Sequence, residues 1–183
     1  LRAVVLGFNI PRPSEGTGRV KVLTHDIIYR LIEEYEAWTA EQRKAIESSA
    51  VEALARGAKL ELLKGYVFRQ SNPAVVGIEV LAGVLKPNVQ LMTKNGKVLT
   101  AVKGMQREQE NLTRAPRGTQ CALSLPNVII GRHLQEGDIL YAAVPEEDYR
   151  KLKELKEHLS EDEKEVLKEI AAIMRKHNPV GGV

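Results

Sequence analysis

Residues 66–83 read YVFRQSNPAVVGIEVLAG, and they contain two runs of strand length, 66–70 and 75–81, on either side of Asn72 and Pro73. Both runs are rich in β-branched and aromatic residues, whose side chains pack well on a pleated sheet. Because short runs of this kind bounded by turn residues are typical of paired strands, this stretch predicts two strands of one sheet.

Further runs of the same character lie between Lys59 and Val144, at residues 60–63, 89–92, 98–102, 120–125 and 139–144. Asn95 and Gly96 separate two of them and can supply the two positive φ angles of a type I′ turn. Several short strands at this spacing, with Gly and Pro between them, predict a small closed β-barrel. The polar residues 106–118 are predicted to form its longest loop.

The first 38 residues predict a different architecture, a partial α/β layer. Residues 3–10 and 20–23 are apolar runs that fit buried strands. Asp26 can cap a following helix whose apolar residues recur with a 3.6-residue period. Since the chain lacks a starting Met and opens inside a strand-like run, we expect that further sequence precedes it.

A connecting helix is predicted over residues 39–57. Thr39 and Gln42 have the spacing of a capping box, and Gly57 is a natural terminator. The apolar stripe of this helix is narrow, and charged residues that include Arg56 surround it. A helix of this kind is expected to be mostly solvated and to join two modules.

Two amphipathic helices are predicted after the barrel, over residues 146–183. Tyr149, Leu152, Leu155 and Leu159 share one face of the first helix, and Ser160 with Glu163 forms a capping box for the second. The apolar stripe of the second helix consists of Val166, Leu167, Ile170, Ile173 and Met174. The predicted fold class is therefore α+β and multidomain: a partial α/β layer at 1–38, a connecting helix at 39–57, a barrel at 58–145 and a helical pair at 146–183.

Composition limits the class of protein. Hydrophobic residues make up 43% of the 183 residues and charged residues 28%, as in an ordinary globular chain. No apolar run approaches the roughly 20 residues that cross a bilayer, so no membrane is expected. The single cysteine, Cys121, fits a reducing compartment, and a cytoplasmic protein is predicted. The net charge of +3 permits an RNA contact of limited footprint.

Few residues indicate catalysis. No Gly-rich phosphate-binding motif occurs, so GTP hydrolysis by this chain is not expected. Cys121 and His133 are a conceivable nucleophile and base, but a small buried hydrophobe is the commoner role of such a cysteine. The four histidines are too scattered to suggest a metal site. Four arginines in or near barrel loops are candidates for phosphate contact or for an ordinary solvated surface: Arg107, Arg114, Arg117 and Arg132.

Residues 66–83 resemble the entry to the last domain of archaeal and eukaryotic translation initiation factor 5B, the counterpart of bacterial initiation factor 2. Three more segments are similar to that family in the same chain order: 5–9 (VLGFN), 26–29 (DIIY), and GRH at 131–133 with DIL at 138–140. The likeness covers nearly the whole chain, and four ordered matches are more specific than any one of them.

The resemblance implies an α/β third domain, a long connecting helix and a fourth domain that is a barrel similar to domain II of elongation factors. It implies that the barrel binds the aminoacylated acceptor end of initiator methionyl-tRNA on the ribosome, and that the C-terminal helices contact initiation factor 1A. GTP and Mg²⁺ are expected only in the family's first domain. The chain itself is therefore expected to need no cofactor and to be no enzyme, and to support ribosomal subunit joining only within a GTP-dependent parent.

At the residue level, GTQCA at 118–122 resembles a bacterial Gly-Tyr-Glu-Cys-Gly segment that lines the formylmethionine pocket. Arg107 and Phe68 match an arginine and an aromatic residue of the same region. The implied RNA-binding and aminoacyl-binding residues are Phe68, Arg69, Arg107, Gln120, Cys121, Ala122, Arg132 and His133. The implied partner-binding residues are Leu152, Leu155, Val166, Ile170 and Ile173.

The roles that the resemblance implies are specific. Phe68, Cys121 and Ala122 would surround a methionine side chain, while Arg107 and Gln120 would hold the terminal adenosine. The alternative for Phe68 and Cys121 is ordinary barrel core. Because Gln120 stands where the bacterial segment has glutamate and Ala122 where it has glycine, the preference for a formylated or a free amino group stays open.

Two further alternatives remain open at this point. The chain is alternatively a protein-interaction module whose helices bind another initiation factor without contact to RNA, and an unoccupied apolar groove between those helices would favour that function. The short interval between Ile10 and Val20, where the family has a helix, is either a shortened loop or a deletion.

Overall fold

The structure is a computed structural model that describes residues 3–11 and 20–177, and the chain divides into two units, Leu1–Ala50 and Val51–Val183. In the first unit, β1 (Val4–Phe8) and β2 (Lys21–His25) pair in parallel. Parallel pairing agrees with the predicted α/β layer. The open question about the interval after Ile10 falls mostly on residues 12–19, which lie outside the described residues.

One uninterrupted helix, α1 (Ile28–Ala53), replaces the two helices predicted on either side of residue 38. The expected helix start at Thr39 is wrong because its hydroxyl donates to the carbonyl oxygen of Tyr35 at 2.8 Å, a bond made inside a helix. The domain boundaries given above stay a prediction.

Helix α1 ends before the predicted terminator, Gly57, because side chains from distant elements bind its last turn. The ammonium of Lys86 donates to the carbonyl oxygens of Glu52 and Leu54. The backbone N–H of Ala55 donates to Asp148 at 2.9 Å. The bonds from Lys86 satisfy carbonyl groups of the kind that the C-terminal end of a helix leaves without partners.

A curled antiparallel sheet of nine strands forms the body of the second unit, with the order β6-β5-β11-β3-β4-β10-β7-β8 and β9 beside β4. Among the described residues no ladder joins the edge strands β6 and β8, so the sheet is a half-barrel that curls around one core without full closure. The strands are β3 (Ala58–Arg69), β4 (Ala74–Leu85), β5 (Gln90–Thr93), β6 (Val98–Ala101), β7 (Gly104–Arg107), β8 (Glu110–Asn111), β9 (Ala115–Pro116), β10 (Gln120–Leu125) and β11 (Ile139–Ala142).

Strand alternation sets which side chains face outward. Ala74, Val76, Ile78 and Val80 of β4 are at most 1% exposed and belong to the half-barrel core. Because successive strand residues point to opposite faces, the residues between them face away from that core. This outer face carries the candidate site.

Two turns differ from prediction. Asn95 does not have a positive φ while Gly96 does (80°), and the N–H of Thr93 donates to the carbonyl of Lys97. This is a three-residue hairpin loop and not a type I′ turn. Glu108 and Gln109, inside the predicted long loop, do have the two positive φ angles of a type I′ turn, 51° and 69°, and join β7 to β8.

The C-terminal segment contains α2 (Glu146–Glu154), a short 3₁₀ helix (Lys156–His158) and α3 (Glu161–His177). One half of the predicted capping box is confirmed, since the N–H of Ser160 donates to the Glu163 side chain at 2.9 Å. The Ser160 hydroxyl also donates to this carboxylate at 2.9 Å. A second core joins these helices to the half-barrel through Met92, Tyr141, Val144, Leu152, Leu159, Val166, Leu167 and Ile170, with Val51 of α1.

Candidate nucleic-acid interface

Two exposed aromatic rings stand on the outer face of β3. Val67 packs against the half-barrel core, whereas its neighbours Tyr66 and Phe68 are both exposed. Tyr66 is 54% exposed and Phe68 is 65% exposed. Their rings lie edge to face with centroids 6.5 Å apart. Since nucleic-acid bases stack on exposed aromatic rings, this pair is a candidate surface for a base or an apolar side chain.

A flat strip of small residues lies beside the aromatic pair. Gly77 of β4 pairs with Ala122 of β10, which pairs in turn with Gln106 of β7. A Cβ atom at Gly77 would lie 2.7 Å from the Cβ of Tyr66, so the missing side chain lets Tyr66 lie against the sheet. We call the surface formed by Tyr66, Phe68, Ala122 and Gln106, with buried Gly77 beneath Tyr66, the shelf.

A polar row borders the shelf. Glu79, two residues beyond Gly77 on β4, lies opposite both Gln120 of β10 and Glu61 of β3. The side-chain amide Nε2 of Gln120 donates to Oε2 of Glu79 at 3.0 Å. The structure therefore places Gln120, as well as Phe68 and Ala122, on the outer face where the sequence predicted a site.

Cys121 is not part of the shelf. It is only 7% exposed and belongs to the half-barrel core. Desolvation by burial raises the pKa of its thiol to about 11, and the nearby charge of Arg107 acts in the opposite direction. A neutral buried thiol is a poor nucleophile, so catalysis by Cys121 as nucleophile with His133 as base is wrong. The predicted contact of Cys121 with a methionine side chain is also wrong here, because strand alternation turns the thiol inward.

Two predicted arginines near the shelf have exposed side chains. Arg107 at the end of β7 is 60% exposed, and its Nε lies 3.9 Å from Glu108 Oε1. Such an ion pair at the surface is weak, so the guanidinium is available to a phosphate. Arg69, the last residue of β3, is also exposed. Arg114 differs, because it pairs with Glu52 at 3.4 Å.

The loop that carries Arg132 and His133 is bound to the end of β3. The N–H of Ile130 donates to the carbonyl of Gln70 at 3.0 Å. The ring Nδ1 of His133 accepts from the N–H of Ile129 at 3.1 Å, so a neutral ring carries its proton on Nε2. Arg132 and His133 are both exposed, and they add two donors beside the strand end where Arg69 lies.

A separate groove of about 410 Å³ lies between α2, the 3₁₀ helix and α3. Its apolar wall consists of Tyr149, Leu152, Leu159 and Leu167, and its polar residues are Lys153, Lys156, Lys164 and Lys168. An apolar wall with four cationic side chains fits a segment that is both apolar and acidic.

The predicted partner-binding residues are mostly not at this surface. Leu152, Val166 and Ile170 are at most 1% exposed because they pack against the half-barrel, so direct partner contact through Val166 and Ile170 is wrong in this structure. Leu152 reaches the groove only as part of its wall. Leu155 and Ile173 are half-buried.

Within the described ranges, no group of three His, Cys, Asp or Glu side chains is placed to hold a metal ion. None of the helices in that part of the chain is long and apolar enough to span a membrane.

Sequence reasoning missed Tyr66, Gly77 and Glu79. Tyr66 could have been predicted from the sequence, because residues two positions apart in a strand share one face and Phe68 was already a candidate. Gly77 and Glu79 occupy outward positions of β4 between buried Val76, Ile78 and Val80, and this alternation was also visible. What the sequence did not contain is the register that brings these strands together.

Comparison with known proteins gives consistent results. A sequence model of a protein family described as "Elongation factor Tu domain 4" matches residues 56–141. The chain is 41% identical to a probable translation initiation factor IF-2 of Methanosarcina mazei and 42% identical to that of Ignicoccus hospitalis, in each case over 98% of this chain. It spans only 31% of the length of each relative. The crystal structure of GDP-bound aIF5B from Aeropyrum pernix matches 97% of this chain and 31% of its own, with a TM-score of 0.71 and 39% identity.

Proposed function

Because the chain belongs to the archaeal translation initiation factor IF-2/aIF5B family and corresponds to the C-terminal part of its members, we propose that its half-barrel binds the aminoacylated acceptor end of initiator tRNA. In the longer, GTP-dependent protein this contact would occur on the ribosome and would support subunit joining. This chain covers 31% of the GDP-bound aIF5B from Aeropyrum pernix, which is therefore a much longer protein.

The observation that carries the proposal is the exposed pair Tyr66 and Phe68 beside the small residues Gly77 and Ala122. Adjoining apolar rings that are exposed to solvent often mark an interaction site. A methionine side chain can pack on the shelf through thioether and aromatic contact, and an adenine can stack on a ring.

Cations close to the shelf suit the phosphates of an acceptor end. Arg107 and Arg69 present exposed guanidinium groups, and Arg132 with the Nε2–H of His133 adds further donors. Contacts of this kind position an RNA without reading its sequence. Recognition of the esterified amino acid would then depend on the shelf.

The test is protection of the methionyl ester of initiator tRNA from hydrolysis by the 183-residue chain. We expect the native chain to protect the ester, and Phe68→Ala or Arg107→Ala to weaken binding about tenfold, the size of one lost stacking or phosphate contact. The matched controls are Tyr29→Ala, an aromatic residue that is 75% exposed in the first unit, and Arg43→Ala on α1. Equal protection by all variants, or none by the native chain at low salt, would remove the proposal.

The lysine-rich groove favours a second function, binding of another initiation factor. Half-buried Tyr149 offers apolar contact in front of the mostly buried Leu159 and Leu167. Lys153, Lys156 and Lys168 are exposed beside it. We propose that an acidic and apolar segment of initiation factor 1A occupies the groove. This function can coexist with RNA binding, because the groove and the shelf share no residue.

Calorimetric titration with initiation factor 1A tests this second proposal. Lys153→Glu combined with Lys168→Glu should weaken binding at least about tenfold by placing like charge against an acidic segment. Lys97→Glu, an exposed charge reversal in the hairpin after β5, is the control and should have little effect. Similar affinities for the two variants would place initiation factor 1A elsewhere.

A further inference from the structure

Glu79 occupies an unusual position for a carboxylate at the edge of an apolar surface. It follows Gly77 by two residues on β4, so its side chain shares the outer face with the shelf. It is half-buried, and Gln120 binds one of its oxygens, Oε2. The carboxylate is therefore held in place beside the strip where Gly77 and Ala122 lie.

The charge around Glu79 is unbalanced. Glu61 lies directly across β3 from it, and like charges directly opposite one another on adjacent strands repel. Within the described part of the chain, no lysine, arginine or histidine forms an ion pair with either carboxylate. A cation that arrives at this end of the shelf would relieve that repulsion.

An aminoacyl ester can bring such a cation. When the amino group is unblocked it is an ammonium with a positive charge and three N–H donors. When the amino group is acylated it is a neutral amide with one N–H, and it cannot balance a carboxylate. A methionine side chain packed against Tyr66 and Ala122 would have its α-amino group close to the row of Glu79 and Gln120.

We propose that Glu79, held by Gln120, recognises the free α-ammonium of an unblocked aminoacyl ester and so selects it over an N-acylated one. This inference rests on the proposed function of the shelf. Glu79 donates no proton and forms no covalent bond in this role; it acts as a specificity-determining residue. The carboxylate oxygens accept hydrogen bonds from the ammonium, and the carbonyl oxygen of the Gln120 side chain is a further acceptor beside them.

The experiment measures the affinity of the chain for three forms of initiator tRNA: methionyl, N-acetylmethionyl and uncharged. We expect the native chain to bind the methionyl form about tenfold more tightly than the acetylated form, as for one charge-assisted hydrogen bond. Glu79→Gln keeps the size of the side chain and an acceptor oxygen but removes its charge. This variant should bind both charged forms with similar affinity.

Glu61→Gln is the matched control, because it removes an equal charge from the same row but not from the residue that Gln120 holds. It should keep most of the preference. A Glu79→Gln variant that still prefers the methionyl form, or a native chain that binds both charged forms equally and more tightly than uncharged tRNA, would overturn the inference while the proposed function stands. If the native chain binds charged and uncharged tRNA equally, the proposed function fails and this inference fails with it.

Discussion

Arg56 and Glu163 form an ion pair inside the second unit. Their side chains are only 8% and 5% exposed, and Nε of Arg56 donates to Oε1 of Glu163 at 2.6 Å. Arg56 also bonds Glu52 at 2.6 Å. The other oxygen of Glu163 accepts from Ser160, so one carboxylate both caps α3 and neutralises a buried guanidinium. Arg56, three residues beyond the end of α1, is thereby bound to the first turn of α3.

Removing one partner of this pair should be costly. Arg56→Met would leave Glu163 charged and buried, so we expect the free energy of unfolding to fall by about 3 kcal/mol. The control is Arg150→Met, which breaks a pair between Arg150 and Glu146 at the surface, where Arg150 is 70% exposed. That change should cost no more than about 0.5 kcal/mol. If urea denaturation gave the same decrease in the free energy of unfolding for both variants, the buried pair would contribute no more stability than the surface pair.

Cys121 should be almost unreactive in the folded protein. Burial raises the pKa of its thiol to about 11, so the reactive thiolate is scarce at pH 8, and the side chain is inaccessible. We expect alkylation by iodoacetamide at pH 8 to be at least about a hundredfold slower than for the same chain in denaturant. Fast labelling of the native chain would contradict the burial of Cys121 in the half-barrel core.

At the scale of elements, the stability effects of two substitutions distinguish a residue inside a helix, Thr39 in α1, from a residue just before a helix, Ser160 before α3. Thr39→Ala replaces a residue inside α1 and should change the free energy of unfolding by less than about 0.5 kcal/mol. Ser160→Ala removes a hydroxyl that donates to the carboxylate of Glu163 in the first turn of α3, and it should cost about 1 kcal/mol. Circular dichroism during denaturation measures both. A loss of about 1 kcal/mol for Thr39→Ala would restore a helix start at that residue.

The elements that could be predicted from sequence are those with strong local patterns. The run of β-branched residues over 75–81 predicted the body of β4, and Ser160 with Glu163 predicted the start of α3. The turn at Glu108 and Gln109 could not be predicted, because neither residue is among the Gly and Asn that usually accept positive φ angles.

The end of α1 was missed for a different reason. Asp148 and Lys86 determine it, and both are remote in sequence from the helix that they bind. The outward position of Phe68 and the inward position of Cys121 depend on register in the same way, since a shift of one residue exchanges the two faces of a strand. Local patterns carry no information about such partners.

At the scale of the whole second unit, the C-terminal helices are part of the same folded body as the half-barrel. The hydroxyl of Tyr141 on β11 donates to Glu169 of α3 at 2.7 Å, and Lys59 of β3 pairs with the same carboxylate at 2.9 Å. The hydrogen bond from Lys59 to Glu169 raises the pKa of Lys59. The apolar stripe that the sequence predicted to bind a partner therefore packs between the helices and the sheet. The lysine-rich groove lies on the outside of the same helices.

The most direct measurement of the central claim is an NMR titration of the isotopically labelled chain with a short RNA that ends in a methionyl-esterified acceptor sequence. We predict that the backbone amides of Gly77, Ala122 and Gln106 shift, together with those of Phe68 on β3, while the amides around Lys153 in the groove do not. The same RNA without the amino acid should shift the shelf less. Shifts confined to the groove, or the same small shifts with and without the ester, would contradict binding of the aminoacylated end at the shelf.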